Sequence, residues 1–248
     1  MKHTFITAHS GCEQTARDSY ESIEAGILAG ADCVEVDVRM DSGALVLSHD
    51  RRERYGEAVR LERAFEKIVE SGCRINCDLK EPSALYPVLE LAARCGVSPR
   101  QLIFSGSVSC DLLAADPDVA KRAQIFLNIE ELGKYFLAGR TADLGLLLRN
   151  PWSGMRDALS EMLDSGVEEI AAAAKSLGVE VLNLPYQRLT GEHIAQFRAC
   201  GMQLSLWTVN NADDLRRLLR EDLHNVTTLN AREALAIRAA DAASQPRG

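Results

Sequence analysis

Three absences bound what this chain can be. No apolar run approaches the ~20 residues that a membrane-spanning helix requires, so a membrane span is not expected. An excess of positive charge is missing as well: 28 Lys and Arg against 36 Asp and Glu leave a formal net charge of -8, and no basic cluster stands out. Such a field repels a phosphate backbone, which argues against a nucleic-acid partner and means that any anionic ligand must be attracted locally. The seven cysteines are an odd count and lack the spacing of a metal site. Several lie in apolar surroundings, Cys33 and Cys77 among them, and read as small reduced core residues. Long linkers, internal repeats and low-complexity segments are also lacking. Met1-Lys-His-Thr4 leads straight into an apolar run without a signal-peptide pattern, so the cytoplasm is the expected location.

What is present is enough for a sizeable core. At 248 residues with 46% hydrophobic content, one domain is expected over residues 1–241, followed by a polar, Pro- and Gly-containing tail over 242–248 that should fray. Strand-like runs lie at Thr4–His9, Cys33–Val38, Ile75–Lys80, Leu102–Ser105, Gln124–Leu127, Glu180–Leu184, Gln203–Val209 and Val226–Leu229, with Ala44–Ser48 as a hairpin partner of the second. Helical patterns fall between them at Ser19–Ala29, Glu62–Glu70, Ser83–Cys95, Met155–Leu177, Thr190–Ala199, Ala212–Arg220 and Ala231–Ala243. Caps with an acidic first turn open two of these, Thr190-Gly-Glu-His193 and Asn211-Ala-Asp-Asp214. Alternation of this kind predicts a closed (β/α)₈ TIM barrel, with parallel strands inside and helices outside.

Chemistry-bearing residues gather at the ends of the strand-like runs. Phe5-Ile-Thr-Ala-His9 delivers a histidine to its carboxyl end, and Ala44-Leu-Val-Leu-Ser-His49 delivers another. Within Cys33-Val-Glu35-Val-Asp37-Val38, the two carboxylates are two residues apart and share one face of the strand. Buried together they would repel and lose hydration unless a positive charge stood between them. A divalent cation meets that need, and hard carboxylate oxygens suit Mg²⁺ or Ca²⁺ better than zinc.

His9, then Glu35-x-Asp37, then His49-Asp50 resembles the signature of the glycerophosphodiester phosphodiesterase family, whose relatives include the phospholipase D toxins of spider venom. Ile75-Asn-Cys-Asp78-Leu-Lys80 is similar to the family's third strand, which ends in an acidic metal ligand and a phosphate-binding lysine, and Leu206-Trp207-Thr208-Val209-Asn210 is similar to its seventh. Departures from the pattern are equally visible. His9-Ser10-Gly11 stands where the family has His-Arg-Gly, Arg17-Asp18-Ser19 where it has Glu-Asn-Thr, and Thr228-Leu229 where it has Thr-Asp. The span from His49 to Asp78 is also too short for the small insertion typical of bacterial members, a trait shared with the venom enzymes.

The resemblance implies a metal-dependent phosphodiesterase acting on a small glycerophosphodiester, with His9 and His49 as the acid-base pair and Glu35, Asp37 and Asp78 as ligands of one divalent cation. Lys80 would clamp the phosphate, and with Ser10 in place of arginine it is the only cation in the motif set. Trp207 would line the pocket, while Ser10, Asn183 and Asn210 are candidates to hydrogen-bond a substrate hydroxyl. Which histidine is acid and which base stays open, as does the nucleophile. Water would give hydrolysis to an alcohol and glycerol 3-phosphate; a hydroxyl of the substrate would give a cyclic phosphate, as in a lysophospholipase D-like enzyme. A catalytically silent barrel that binds phosphate esters is the remaining alternative.

Overall fold

The structure is a computed structural model, and it describes residues 3–51, 56–138 and 153–244. Its order is β1 (Phe5–Ala8), α1 (Tyr20–Ala29), β2 (Cys33–Asp41), β3 (Ala44–Leu47), α2 (Leu61–Ser71), β4 (Arg74–Leu79), α3 (Leu85–Cys95), β5 (Leu102–Gly106), α4 (Cys110–Ala115), α5 (Val119–Arg122), β6 (Gln124–Asn128), α6 (Ile129–Ala138), α7 (Ser153–Ser176), β7 (Val181–Pro185), α8 (Gly191–Ala199), β8 (Gln203–Trp207), α9 (Ala212–Leu218), β9 (Asn225–Thr228) and α10 (Ala231–Ser244). Eight strands pair in parallel around a closed ring, β1-β2-β4-β5-β6-β7-β8-β9, and β9 returns to β1. β3 stands outside that ring. It folds back antiparallel on the extended end of β2, pairing from Val38 with Leu47 to Asp41 with Ala44. None of the described helices is long and apolar enough to cross a membrane.

Period-two alternation splits each strand between two environments. The outward residues, such as Ile6, Val34, Val36, Ile75, Cys77, Leu182, Leu204 and Val226, join the helices in one large core. Inside the ring, Cys33, Ile103, Phe126 and Val181 form a separate apolar plug toward the amino ends of the strands. One step further along each strand the interior turns polar, with Glu35, Asn76, Ser105, Asn183, Ser205 and Thr227 all buried. Buried polar atoms must find partners, and Asn225 supplies several. Thr7 Oγ1 donates to its Oδ1 at 2.7 Å, and its Nδ2 donates to Ser205 Oγ at 3.0 Å and Thr227 Oγ1 at 3.2 Å. A polar floor of this kind leaves the carboxyl-end rim as the place where charge is held.

Local signals account for the boundaries. Ser19 caps α1 by accepting from the Ser22 amide at 3.1 Å, and Thr190 with His193 forms a reciprocal capping box on α8. Asn211 accepts from the amides of Asp213 and Asp214 at the start of α9. Five features depart from the sequence expectations. α4, α5 and α6 lie where no helix was anticipated, and Gly166, extended at φ 172, interrupts the expected long helix now described as α7. The last helix runs on through Ser244, past the point where a frayed tail was expected, and 245–248 lie outside the described residues.

Candidate active site

The parallel register sets the rim. Glu35 pairs with Asn76, and Asp37 sits level with Asp78 on the neighbouring strand. One oxygen from each of Glu35, Asp37 and Asp78 lies within 4.8 Å of the others. Lys80, just past the end of β4, places its ammonium 2.6 Å from Asp37 Oδ1 and 2.6 Å from Asp78 Oδ2. Asp37 is 1% exposed. On the side away from the lysine, Asp37 Oδ2 and Asp78 Oδ1 are buried and accept no hydrogen bond. The net charge of the group is negative even with Lys80 counted, and its orphaned oxygens are hard donors. That donor set fits a divalent cation.

Electrostatics carry the same message. Burial first, then the nearby Asp78 and Asp37 charges, push the Glu35 carboxyl up to about 7, against an opposing pull from His9. Burial also raises Asp78, although Lys80 offsets it, and the two aspartates raise Lys80 despite its burial. A lone ammonium therefore does not neutralise the cluster.

Asp78 reaches its position only because Gly106 has no side chain. Gly106 ends β5 with φ +75°, and a Cβ there would lie 1.9 Å from Asp78 Oδ1 and 2.4 Å from the Leu79 carbonyl oxygen. Left-handed backbone at that point already favours glycine. The glycine is thus part of the site although it carries no chemistry.

Both histidines reach the rim. His9 follows β1, with Nε2 3.5 Å from Glu35 Oε1 and Nδ1 2.8 Å from the Ser10 carbonyl oxygen. His49 follows β3, with Nδ1 2.8 Å from Asp50 Oδ1 and a side chain 43% exposed. A carbonyl or carboxylate oxygen can only accept, so Nδ1 carries the proton in each ring. In the neutral form, Nε2 is then left as the basic nitrogen of both histidines.

Ser10 does not behave as expected. It is 3% exposed, and its Oγ accepts from the Asp18 amide at 2.9 Å and donates to Asp18 Oδ1 at 3.3 Å, so the hydroxyl is already engaged within the loop. The place read as a substrate contact is a loop anchor. Trp207 ends β8 opposite Pro185, partly exposed. With the Asn183 amide oxygen turned toward it, Trp207 Nε1 donates at 3.3 Å while the Asn183 nitrogen donates to Ser205 Oγ at 2.8 Å. Asn183 is thereby committed to the barrel interior. Asn210 is committed too, its Oδ1 accepting from the Leu229 amide at 2.8 Å.

Sequence reasoning missed three charged residues. Arg39 shares the face of Asp37 on β2 and donates to the His49 carbonyl oxygen from Nε at 3.2 Å and Nη2 at 2.9 Å. Lys80 is therefore not the only cation near the rim. Asp18 accepts from the His49 amide at 2.8 Å. Glu130 follows β6, and burial pushes its carboxyl up to about 7, with Asp78 among the charges that raise it. Arg39 was detectable in principle, since it continues the Glu35, Asp37 alternation.

No family model and no curated protein matches the chain. Solved structures do. A putative glycerophosphoryl diester phosphodiesterase from Agrobacterium tumefaciens superposes with a TM-score of 0.72 at 16% identity, covering 98% of this chain and 100% of that one. Its counterpart from Silicibacter pomeroyi gives 0.71 at 15% identity, covering 96% and 94%. A phosphodiesterase from Oleispira antarctica, solved with the product sn-glycerol-3-phosphate, gives 0.66 at 15% identity, covering 94% and 96%. Likeness at this level of identity establishes a common fold over nearly the whole length.

Proposed function

We propose that this chain is a metal-dependent phosphodiesterase of the glycerophosphodiester phosphodiesterase family, cleaving a small glycerophosphodiester to an alcohol and glycerol 3-phosphate. The observation that carries the reading is the convergence of Glu35, Asp37 and Asp78, each with oxygens within 4.8 Å of the others, beside His9 on one rim of a barrel. Barrel enzymes build their sites at that rim. The names of the superposed structures, one with sn-glycerol-3-phosphate bound, supply the substrate class.

Glu35, Asp37 and Asp78 would hold one divalent cation, Mg²⁺ or Ca²⁺. When bound, such an ion withdraws charge from a phosphoryl oxygen. The chain's own residues do the rest. Lys80, fixed between two aspartates, offers its ammonium to the phosphate's anionic oxygens. One histidine takes the proton of the attacking oxygen at Nε2, and the other gives a proton to the departing alkoxide, which leaves poorly without it. His9 has Glu35 at 3.5 Å to stabilise its protonated form and His49 has Asp50 at 2.8 Å, so each is equipped to hold the proton in transit. Trp207 provides a flat wall at the mouth for the substrate's alkyl part.

Incubation with glycerophosphocholine and, separately, lysophosphatidylcholine, followed by ³¹P NMR with and without a chelator, tests this reading. Glycerol 3-phosphate should form from the first substrate only when the metal is present. A cyclic phosphate product would assign the internal-hydroxyl route instead. Intact substrates under all conditions would leave a silent barrel.

A further inference from the structure

The backbone of His49 is held on both sides by the side chains of Asp18 and Arg39. Its amide donates to Asp18 Oδ2 at 2.8 Å, and its carbonyl oxygen accepts two bonds from the Arg39 guanidinium at 3.2 and 2.9 Å. Each holder is itself held. Asp18 sits in a left-handed turn, φ 59°, and both its amide and its Oδ1 engage the buried Ser10 hydroxyl. Arg39 lies 3.9 Å from Glu81 Oε2, while Glu81 Oε1 accepts from the Met40 amide at 2.6 Å. Ser10 also presents its carbonyl oxygen to His9 Nδ1 at 2.8 Å. One residue thus fixes the tautomer of the first histidine and, through Asp18, the backbone of the second.

We infer that Ser10, Asp18 and Arg39 are positioning residues that lock the two histidines into one mutual geometry. The inference rests on the function proposed above for its kinetic arm only. None of the three needs to touch substrate. β3 is four residues long and paired on one side to β2, with β-bridge support from Arg60 to Val46 on the other. A histidine just past so short an element would sample many positions unless its backbone were pinned. Charge-assisted hydrogen bonds are shorter and stronger than neutral ones, and Arg supplies the two-pronged geometry that Lys cannot. Displacing a reacting group by about 1 Å costs up to roughly 10²-fold in rate.

The test has two arms on the intact chain. Kinetically, Asp18→Ala and Arg39→Met should each lower kcat on glycerophosphocholine by about 10- to 100-fold, with KM little changed. Asp18→Asn, which keeps an acceptor oxygen for the His49 amide, should recover most of the rate. On a His49→Ala background, Asp18→Ala should cost nothing more, because the residue it positions is already gone. An equal loss on both backgrounds would mean that Asp18 merely holds up the fold, and would overturn the inference. In the second arm, the His49 amide should exchange with deuterium at least tenfold faster in Asp18→Ala than in the wild type, while Asp18→Asn keeps its protection. Unchanged exchange would overturn the inference whatever the activity. A chain inactive on every phosphodiester would instead sink the proposed function and leave the exchange arm to decide the clamp.

Discussion

At Gly106 a single hydrogen decides whether Asp78 can stand where it does. Replacement by alanine places a methyl group 1.9 Å from Asp78 Oδ1 on backbone already in the left-handed region, so the carboxylate must swing away or the strand must shift. Gly106→Ala should weaken divalent-cation binding by about tenfold or more and destabilise the fold by about 1–3 kcal/mol. Calorimetric titration beside a denaturant melt checks both, and an unperturbed affinity would remove Asp78 from the ligand set. Glu35 gives a pH signature. Burial lifts its folded-state pKa from an ordinary 4.5 to about 7, so the protonated form is the one the fold favours. Stability from that group is full below the unfolded pKa and drains away as pH rises through about 7 in the metal-free chain. A bound cation replaces the proton, so the rise in Tm on adding Mg²⁺ or Ca²⁺ should grow from about pH 5 to about pH 8. A pH-independent increment would contradict the assignment. His9→Ala and His49→Ala should each lower kcat by about 10²-fold or more while the chain stays folded; near-normal turnover in either would eliminate that histidine. The placement of the carboxylates and histidines was legible because Glu35 and Asp37 alternate on one face of an otherwise apolar run, and Asp78, His9 and His49 sit at or just past the ends of such runs, where period two and strand polarity fix their direction. Ser10, Asp18 and Gly106 were not, because their roles depend on which residue of another segment comes alongside, and no local pattern records that.

Among the elements, α1 is the one whose docking reaches the site. Gly26 lets the helix approach so closely that a Cβ would lie 2.8 Å from Val34 Cγ1 and 2.9 Å from Ala8 Cβ. The same helix carries Ser22, whose Oγ accepts from the Gly11 amide at 2.7 Å and so braces the loop that holds Ser10 and Asp18. Gly26→Val should therefore cost about 1–3 kcal/mol by overpacking, read as a shift of the denaturant midpoint, and should lower turnover as the loop moves. A variant as stable as the wild type would show that the helix has room to withdraw. The strands were all legible in sequence, within a residue or two at their ends except for β2, which runs on to Asp41, three residues past Val38, as the hairpin with β3 extends it; each alternates or runs apolar between turn signals. α4 and α5 were not: at six and four residues they are too short for a helical period to declare itself. α6 was hidden for another reason, since it begins directly after β6 with no separating turn to mark the change of period.

For the molecule as a whole, the closed parallel ring is what turns separated motifs into one site. β1, β2, β4 and the β2–β3 hairpin bring His9, Glu35, Asp37, Asp78, Lys80 and His49 to a single rim, while the apolar plug of Cys33, Ile103, Phe126 and Val181 closes the barrel below. The chain as a whole is acidic, at -8, so under the proposed function attraction for an anionic phosphodiester would have to come from the rim itself, through Lys80 and a cation seated on the carboxylates. Removal of that cation should then abolish turnover without unfolding the barrel, whose core is built elsewhere. The most direct test is the rate of choline release from glycerophosphocholine, followed continuously through chelation and then re-addition of Mg²⁺ or Ca²⁺, for the wild type and for Asp37→Asn. Activity in the wild type that vanishes on chelation and returns with the metal, and that no metal restores in Asp37→Asn, is the predicted result; release that continues undiminished in the presence of chelator would contradict the account.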